Sequence, residues 1–201
     1  MREKRAFYIN GYAGIVGLVV LALVGLFFFY LGMWQAKVWA LFLSIFLWLI
    51  TLLLLSSATV VSPNQAKVIL FFGQYLGTIR ENGFFLTIPL AQKMTVSLKV
   101  RNFNSSVLKV NDLDGNPIEI SAVVVFKVVD TAKALFDVAY YQDFVEIQSE
   151  TAIRHIASQY PYDTFNENDL TLRGNTTAVS DELQKELQER LAVAGVEVIE
   201  T

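Results

Sequence analysis

The chain has no cysteine, one histidine (His155) and four prolines in 201 residues. Without cysteine there is no disulfide, no thiolate nucleophile and no cysteine-bound metal. A single histidine supplies no histidine cluster for a metal, and the His-Glu-x-x-His pattern is missing. The nucleophile-elbow and phosphate-loop glycine patterns are missing as well. With 16 basic and 19 acidic residues the net charge is −3, which makes no broad basic field for nucleic acid. The most consequential absence is local: no Asp, Glu, Lys or Arg falls between Ile15 and Met33 or between Val38 and Leu55.

Those two uncharged stretches carry the excess in a mean hydropathy of +0.44. Each is close to the roughly 20 residues with which an α-helix crosses a bilayer core. Their side chains are apolar all round rather than along one stripe, which argues against a buried soluble pair. The first stretch is longer than a signal-peptide core, no small-residue cleavage site follows it, and a second stretch begins at once. The expectation is therefore a membrane hairpin over 15–55, with helices over about 15–33 and 38–55, after a tail over 1–14. Arg2, Lys4 and Arg5 precede it and only Lys37 lies between its arms. That bias favours a cytoplasmic N-terminus, and two spans return the C-terminal region to the same side. A hairpin that dips into one leaflet gives the same sidedness. Tyr12, Tyr30, Trp34 and Trp39 lie near the ends of the stretches and are the candidate membrane-interface anchors. The spans hold few polar residues, chiefly Ser44 and Thr51, so an ion or proton pathway is disfavoured. Gly14, Gly17 and Gly25 read as the ordinary glycine content of membrane helices.

After a linker over 56–61, residues 62–201 have the size of one domain. Strand signals come first. Ala66–Phe72 is apolar and β-branched, and Phe84–Ile88 ends at Pro89. Met94, Val96, Leu98 and Val100 alternate with polar residues. Val107–Val110 and Ile118–Val129 flank Asp114-Gly115, a tight-turn dipeptide with two positive-φ positions. Val123 and Val125 on the second face of that returning strand predict cover on both sides. The period then becomes helical. Asp130-Thr131 caps a helix through Tyr141, and a second helix from Asp143 places Phe144, Ile147, Thr151, Ala152, His155 and Ile156 on one face. A third runs from about Val179 to Ala194 with Asp181 and Glu182 in its first turn. Gly195 stops it, and Val196–Ile199 is a last strand. Strands, helices and a final strand make an α+β domain. The Val179, Leu183, Leu187 and Leu191 stripe reads as core rather than a subunit seam.

This order of segments resembles the stomatin/prohibitin/flotillin superfamily and its SPFH (Band 7) domain. The residues that carry the resemblance are Pro63-Asn-Gln-Ala-Lys-Val-Ile-Leu-Phe-Phe-Gly73, Asn82-Gly-Phe-Phe-Leu-Thr-Ile-Pro89, Asp114-Gly-Asn-Pro-Ile-Glu-Ile120, Phe126-Lys-Val-Val-Asp130 and Ala194-Gly-Val-Glu-Val198. Asn82 stands where the family has proline and Phe85 where it has histidine. The resemblance implies a curved antiparallel sheet with packed helices behind the hairpin. It implies a non-catalytic scaffold that binds membrane lipid, assembles as a homo-oligomer in rings or cages and organises membrane microdomains. The alternative it offers is a regulatory subunit of a membrane protease. No cofactor, metal or nucleic-acid partner is expected, and the cell membrane is the expected location.

No catalytic constellation emerges beside that reading. His155, near an apolar helix face, reads as a packed or half-buried side chain. Asp112 with Asp114, and Asp181 with Glu182, read as turn and helix-start residues rather than acid–base pairs. Asn104-Ser-Ser106 and Asn175-Thr-Thr177 match glycosylation acceptor patterns that occur often by chance.

Overall fold

A computed structural model describes residues 2–164 and 170–201. The chain divides into two compact units, Lys4–Ser97 and Leu98–Thr201, the latter joined by Glu3 of the N-terminus.

The first unit holds the hairpin and two small sheets. Helix α1 spans Gly11–Trp34 and α2 spans Val38–Leu55. At 1.5 Å per residue they are about 36 and 27 Å long. Helix α1 begins four residues before the expected Ile15 because the Asn10 side chain accepts a hydrogen bond from the Tyr12 N–H at 3.0 Å. The tail before it is not wholly irregular: Ile9–Asn10 is a strand, β1. The linker expected over 56–61 contains strand β2, Ala58–Val61. Both pair antiparallel with β5, Gly83–Leu86, to form the order β1-β5-β2. Strands β3 (Gln65–Phe71), β4 (Gln74–Ile79) and β6 (Gln92–Ser97) make a second sheet, ordered β4-β3-β6. The alternation expected to run to Val100 stops at Ser97. Its partner there is Gln65, the first residue of β3, so no backbone remains to pair with Leu98 onward. Ala6, Val61, Ile69 and Ile79 are buried together, with Tyr8 and Phe85 packed against them.

The second unit is strand, helix and strand. Strand β7 (Arg101–Asn104) pairs with β10 (Val123–Val128), which pairs with β11 (Val196–Glu200). Strands β8 (Leu108–Asn111) and β9 (Pro117–Ile120) form a separate ribbon. The single returning strand expected from Ile118 is thus two strands. The break falls at Ser121-Ala122, where Ala122 turns to Ser105: its N–H donates to Ser105 Oγ and its carbonyl accepts from the Ser105 N–H, both at 2.9 Å. Val123 is half exposed and Val125 half-buried, so the second face is not fully covered.

The helices are α3 (Thr131–Phe136), α4 (Tyr141–Gln159) and α5 (Thr176–Leu191), followed by a 3-10 turn over Ala192–Ala194. Helix α3 is shorter than expected. Asp130 caps it through the Ala132 and Lys133 N–H groups, each at 3.0 Å, and the Glu3 carboxylate accepts from Thr131 N–H at 2.7 Å. Helix α4 buries Val145, Ser149, Ala152, Ile153, Ile156 and Ala157. Ile147 and Thr151 face out instead, because the small residues let the helix sit close on its neighbours. Tyr160 takes the extended conformation that a residue before proline favours, and α4 ends there. Helix α5 begins at Thr176, so Asp181 and Glu182 lie beyond its first turn. Leu183, Leu187 and Leu191 are buried with Val124, Phe126, Val196 and Val198, so the stripe is core within the unit.

Gly195 closes this unit. Its φ of +66° is left-handed, and its carbonyl accepts from the N–H groups of Val129 and Asp130 at 2.9 and 3.0 Å. A side chain there would overlap the Asp130 carbonyl. Gly195→Ala is expected to cost about 2 kcal/mol, from left-handed strain and the backbone clash together, measured by denaturant unfolding in detergent.

Candidate membrane anchor and its junction with the sheet

In the most apolar 18-residue window of each hairpin helix only 11% of residues are buried in the protein. Side chains all round the helices, such as Phe29, Phe42 and Leu52, face outward. A core helix of a soluble protein shows the opposite; exposed apolar surface of this extent is what a membrane-associated helix pair presents. The two arms meet closely. A Cβ at Gly25 would lie 3.1 Å from Trp48 Nε1, and Ala40 and Ser44 are buried. Gly14 has another neighbour: a side chain there would run into Leu86 of β5. Gly14 and Gly25 are therefore sites of close approach rather than incidental glycines, whereas Gly17 has open space around it.

The four aromatics expected at the interface fall in two groups. Tyr30 and Trp34 are stacked at 5.9 Å near the loop end of α1, and Trp39 meets the Phe28 ring edge-on at 6.2 Å. Tyr12 lies at the other end, beside Phe84 of β5 at 6.1 Å. All four are more than half exposed. Tyr12 is about 27 Å along α1 from Tyr30 and about 33 Å from Trp34, which brackets the roughly 30 Å hydrocarbon core.

The junction where α2 ends carries a dense set of side-chain hydrogen bonds. A helix end leaves carbonyls without intrahelical partners, and their burial unpaired is costly. Here Ser56 Oγ donates to the Leu53 carbonyl at 2.7 Å and Ser57 Oγ to the Leu54 carbonyl at 2.6 Å. Ser56 Oγ also accepts from the Leu90 N–H at 3.1 Å. The Ser57 carbonyl collects three donors: the Thr87 N–H at 3.0 Å, and the Thr87 and Thr59 hydroxyls at 3.1 Å each. Ser57, Thr59 and Thr87 are buried. Lys93 of β6 completes the set, its ammonium donating to the Ser56 and Ala58 carbonyls at 2.8 and 2.7 Å. A cation at this position also complements the negative end of the α2 dipole. Burial, and then the nearby Lys67, hold the Lys93 pKa below the ordinary lysine range. The hairpin is thus welded to the sheets of its own unit. The sequence singled out none of Asn10, Lys93 or Thr87. The visible signal was Ser56-Ser57 directly after an apolar helix, two hydroxyls placed where carbonyls need donors.

The residues weighed for chemistry lie elsewhere, in the second unit. His155 is not packed into the core: it is half exposed, with Nδ1 3.0 Å from both Glu186 carboxylate oxygens. Glu186 also receives Arg190 at 2.6 Å. Glu182 accepts from the Tyr160 hydroxyl, whose pKa it raises. Asp112 is buried and organises the β8–β9 loop, accepting from Asn116 N–H at 2.7 Å and Tyr162 N–H at 3.0 Å. Only Gly115 in that loop has positive φ, +84°, so the turn is not the two-residue type expected at Asp114-Gly115. Among the described residues no group of three His, Asp or Glu is placed to hold a metal.

Two expectations follow. Lys93→Met leaves the Ser56 and Ala58 carbonyls short of a donor and should cost about 1–2 kcal/mol, read as a lowered unfolding midpoint in detergent. The Tyr162 N–H, followed by the Asn116 donors, holds the Asp112 pKa below the usual carboxylate range. Its stabilisation is therefore complete above the unfolded value of about 3.9 and is lost as pH falls through the lower folded value. Asp112→Asn should be less stable at pH 7 and lose less stability on acidification, measured by unfolding at a series of pH values.

Residues 59–201 match the model of the SPFH domain / Band 7 family. The chain is 32% identical over 117 residues to a stomatin homolog of Pyrococcus horikoshii, covering 58% of this chain and 44% of that one. It is 31% identical over 117 residues to a stomatin homolog of Pyrococcus abyssi (58% and 43%), and 31% over 115 residues to a protein of Archaeoglobus fulgidus (57% and 46%). The match thus spans less than half the length of each of these curated relatives.

Proposed function

From the premise that the chain belongs to the SPFH domain / Band 7 family, we propose that it is a membrane-anchored scaffold that self-associates and organises the lipid around it. The observation that carries this reading is the welded junction. A freely hinged tether needs only a flexible linker, whereas here buried hydroxyls and an ammonium fix the helix end to the sheet. A fixed anchor ties the orientation of the hairpin to the sheets of its own unit and suits lateral assembly. The outward face of the β1-β5-β2 sheet supports the same reading. Ile9 pairs with Leu86 and Val60 with Phe84, so these four share a face, and Ile9 and Val60 are more than half exposed. Apolar surface therefore continues from α1 onto the sheet, which in this reading rests at the lipid headgroups.

Joined copies hold a bilayer far more durably than one copy, because after the first insertion each further one is intramolecular. The function is structural rather than catalytic. The Band 7 domain lies on the cytoplasmic side, following the Arg2, Lys4 and Arg5 bias, and Tyr12, Tyr30, Trp34 and Trp39 mark the two interfaces.

Full-length protein extracted in mild detergent should run as a large homo-oligomer; a monomer at every concentration overturns self-assembly. Co-purification of a stoichiometric protease from native membranes would replace this reading with that of a protease-regulating subunit. The cysteine-free chain also permits a direct test of sidedness. Single cysteines at Gln35 and Glu189 should be labelled from opposite sides of intact cells if the hairpin crosses fully, with Glu189 reached only from the cytoplasm.

A further inference from the structure

The strand order β11-β10-β7 leaves β11 at an edge. Its sequence, Val196-Glu-Val-Ile-Glu200, is β-branched and free of proline and glycine. An open edge of that composition is a template for pairing with another chain. This edge is not open. Gln188 Oε1 accepts from the Val198 N–H at 2.8 Å, and Gln188 Nε2 donates to the Val196 carbonyl at 3.2 Å. One carboxamide thereby supplies the donor and the acceptor that a residue of a neighbouring strand would supply. One helical turn earlier, Gln184 Nε2 donates to the Ile199 carbonyl at 2.9 Å and approaches the Val198 carbonyl at 3.4 Å. Spacing by four residues puts both glutamines on one side of α5, while Leu183 and Leu187 anchor that helix in the core.

We propose that Gln184 and Gln188 form a clip that closes the outer edge of β11 to strand addition by a second copy of this chain. The need for a clip is greatest in the self-associating scaffold proposed above, on which this inference rests for its biological setting. There, neighbouring copies sit at high local concentration, and an open edge would compete with the ordered contacts. A hydrophobic cover would do less, because the exposed groups are a donor and acceptors that only hydrogen bonds satisfy.

The test uses the full chain in detergent with Gln184→Ala and Gln188→Ala combined, since alanine preserves helix propensity. Hydrogen exchange at the Val198 amide should accelerate about tenfold, the effect of one lost hydrogen bond, while the β10 amides keep their protection. A new species should then appear with rising concentration, heavier than the wild-type assembly. Unchanged exchange at Val198 overturns the proposal, and so does faster exchange with wild-type mass at every concentration. Leu187→Ala, which loosens the core but keeps both glutamines, is the control. If it yields the same heavy species, unfolding rather than the open edge is responsible and the clip is rejected. The wild-type mass alone decides the scaffold reading. If wild type is a monomer and the double variant associates, that reading fails and the clip stands.

Discussion

A backbone carbonyl at the edge of an apolar layer has to find a donor, and much of the first unit follows from how α2 meets that demand. Hydrocarbon offers no hydrogen bonds, so the last turn of a membrane helix depends on whatever the protein places beside it. Here the chain brings back Thr87, Leu90 and Lys93, residues thirty or more positions later, to the segment Ser56–Ala58. That return fixes where β5 and β6 run. With β5 in place, β1 and β2 pair on its two sides, and Phe84 and Leu86 are set against the first turns of α1. The anchor and the sheets are one structure because the Ser56, Ser57 and Ala58 carbonyls that follow α2 take their donors from Thr87 and Lys93.

The second unit rests on apolar packing, with polar groups used for closure. Val124 and Phe126 of the sheet, Ile153 of α4 and Leu187 of α5 are nearly inaccessible and share one core. Around it, single residues finish the backbone accounting. Asp130 caps α3, Gly195 turns the chain into β11, and Asp112 holds the loop between β8 and β9. Ser149 is the buried side-chain polar atom left unpaired among the described residues, placed among small residues on the inward face of α4.

The parts legible in the sequence were those with a strong period or a strong composition. Two uncharged runs announced the hairpin, Asp130-Thr131 announced the start of α3, Gly195 the end of the last helix, and leucines four apart the core face of α5. What escaped was set by distant partners. Nothing local says that β6 ends at Ser97; that depends on where β3 begins. The face α4 buries was read only in part: Phe144, Ala152 and Ile156 do pack inward, but Ile147 outweighs Ser149 and Ala157 in hydrophobicity, while close packing rewards the smaller side chains. His155, read as packed or half-buried, has a side chain 50% exposed; what escaped is its partner Glu186, which lies on another helix, 31 residues away. At the anchor, the aromatic belt could be proposed from composition. Lys93 could not, since a lone lysine in an amphipathic strand looks like any solvated charge.

The unequal arms of the hairpin bear on membrane thickness. A single free span that is too long for its bilayer tilts, and one that is too short draws the lipids in. Helices of about 36 and 27 Å cannot both match one hydrocarbon slab. Because their bases are bonded to sheets, neither can lean without carrying folded structure with it. In the fully crossing geometry of the proposed scaffold, the adjustment would fall on the lipid, which would have to stretch or thin beside the protein. Such an anchor would impose a local thickness on its surroundings, and lipids that already have that thickness would gather at it most cheaply.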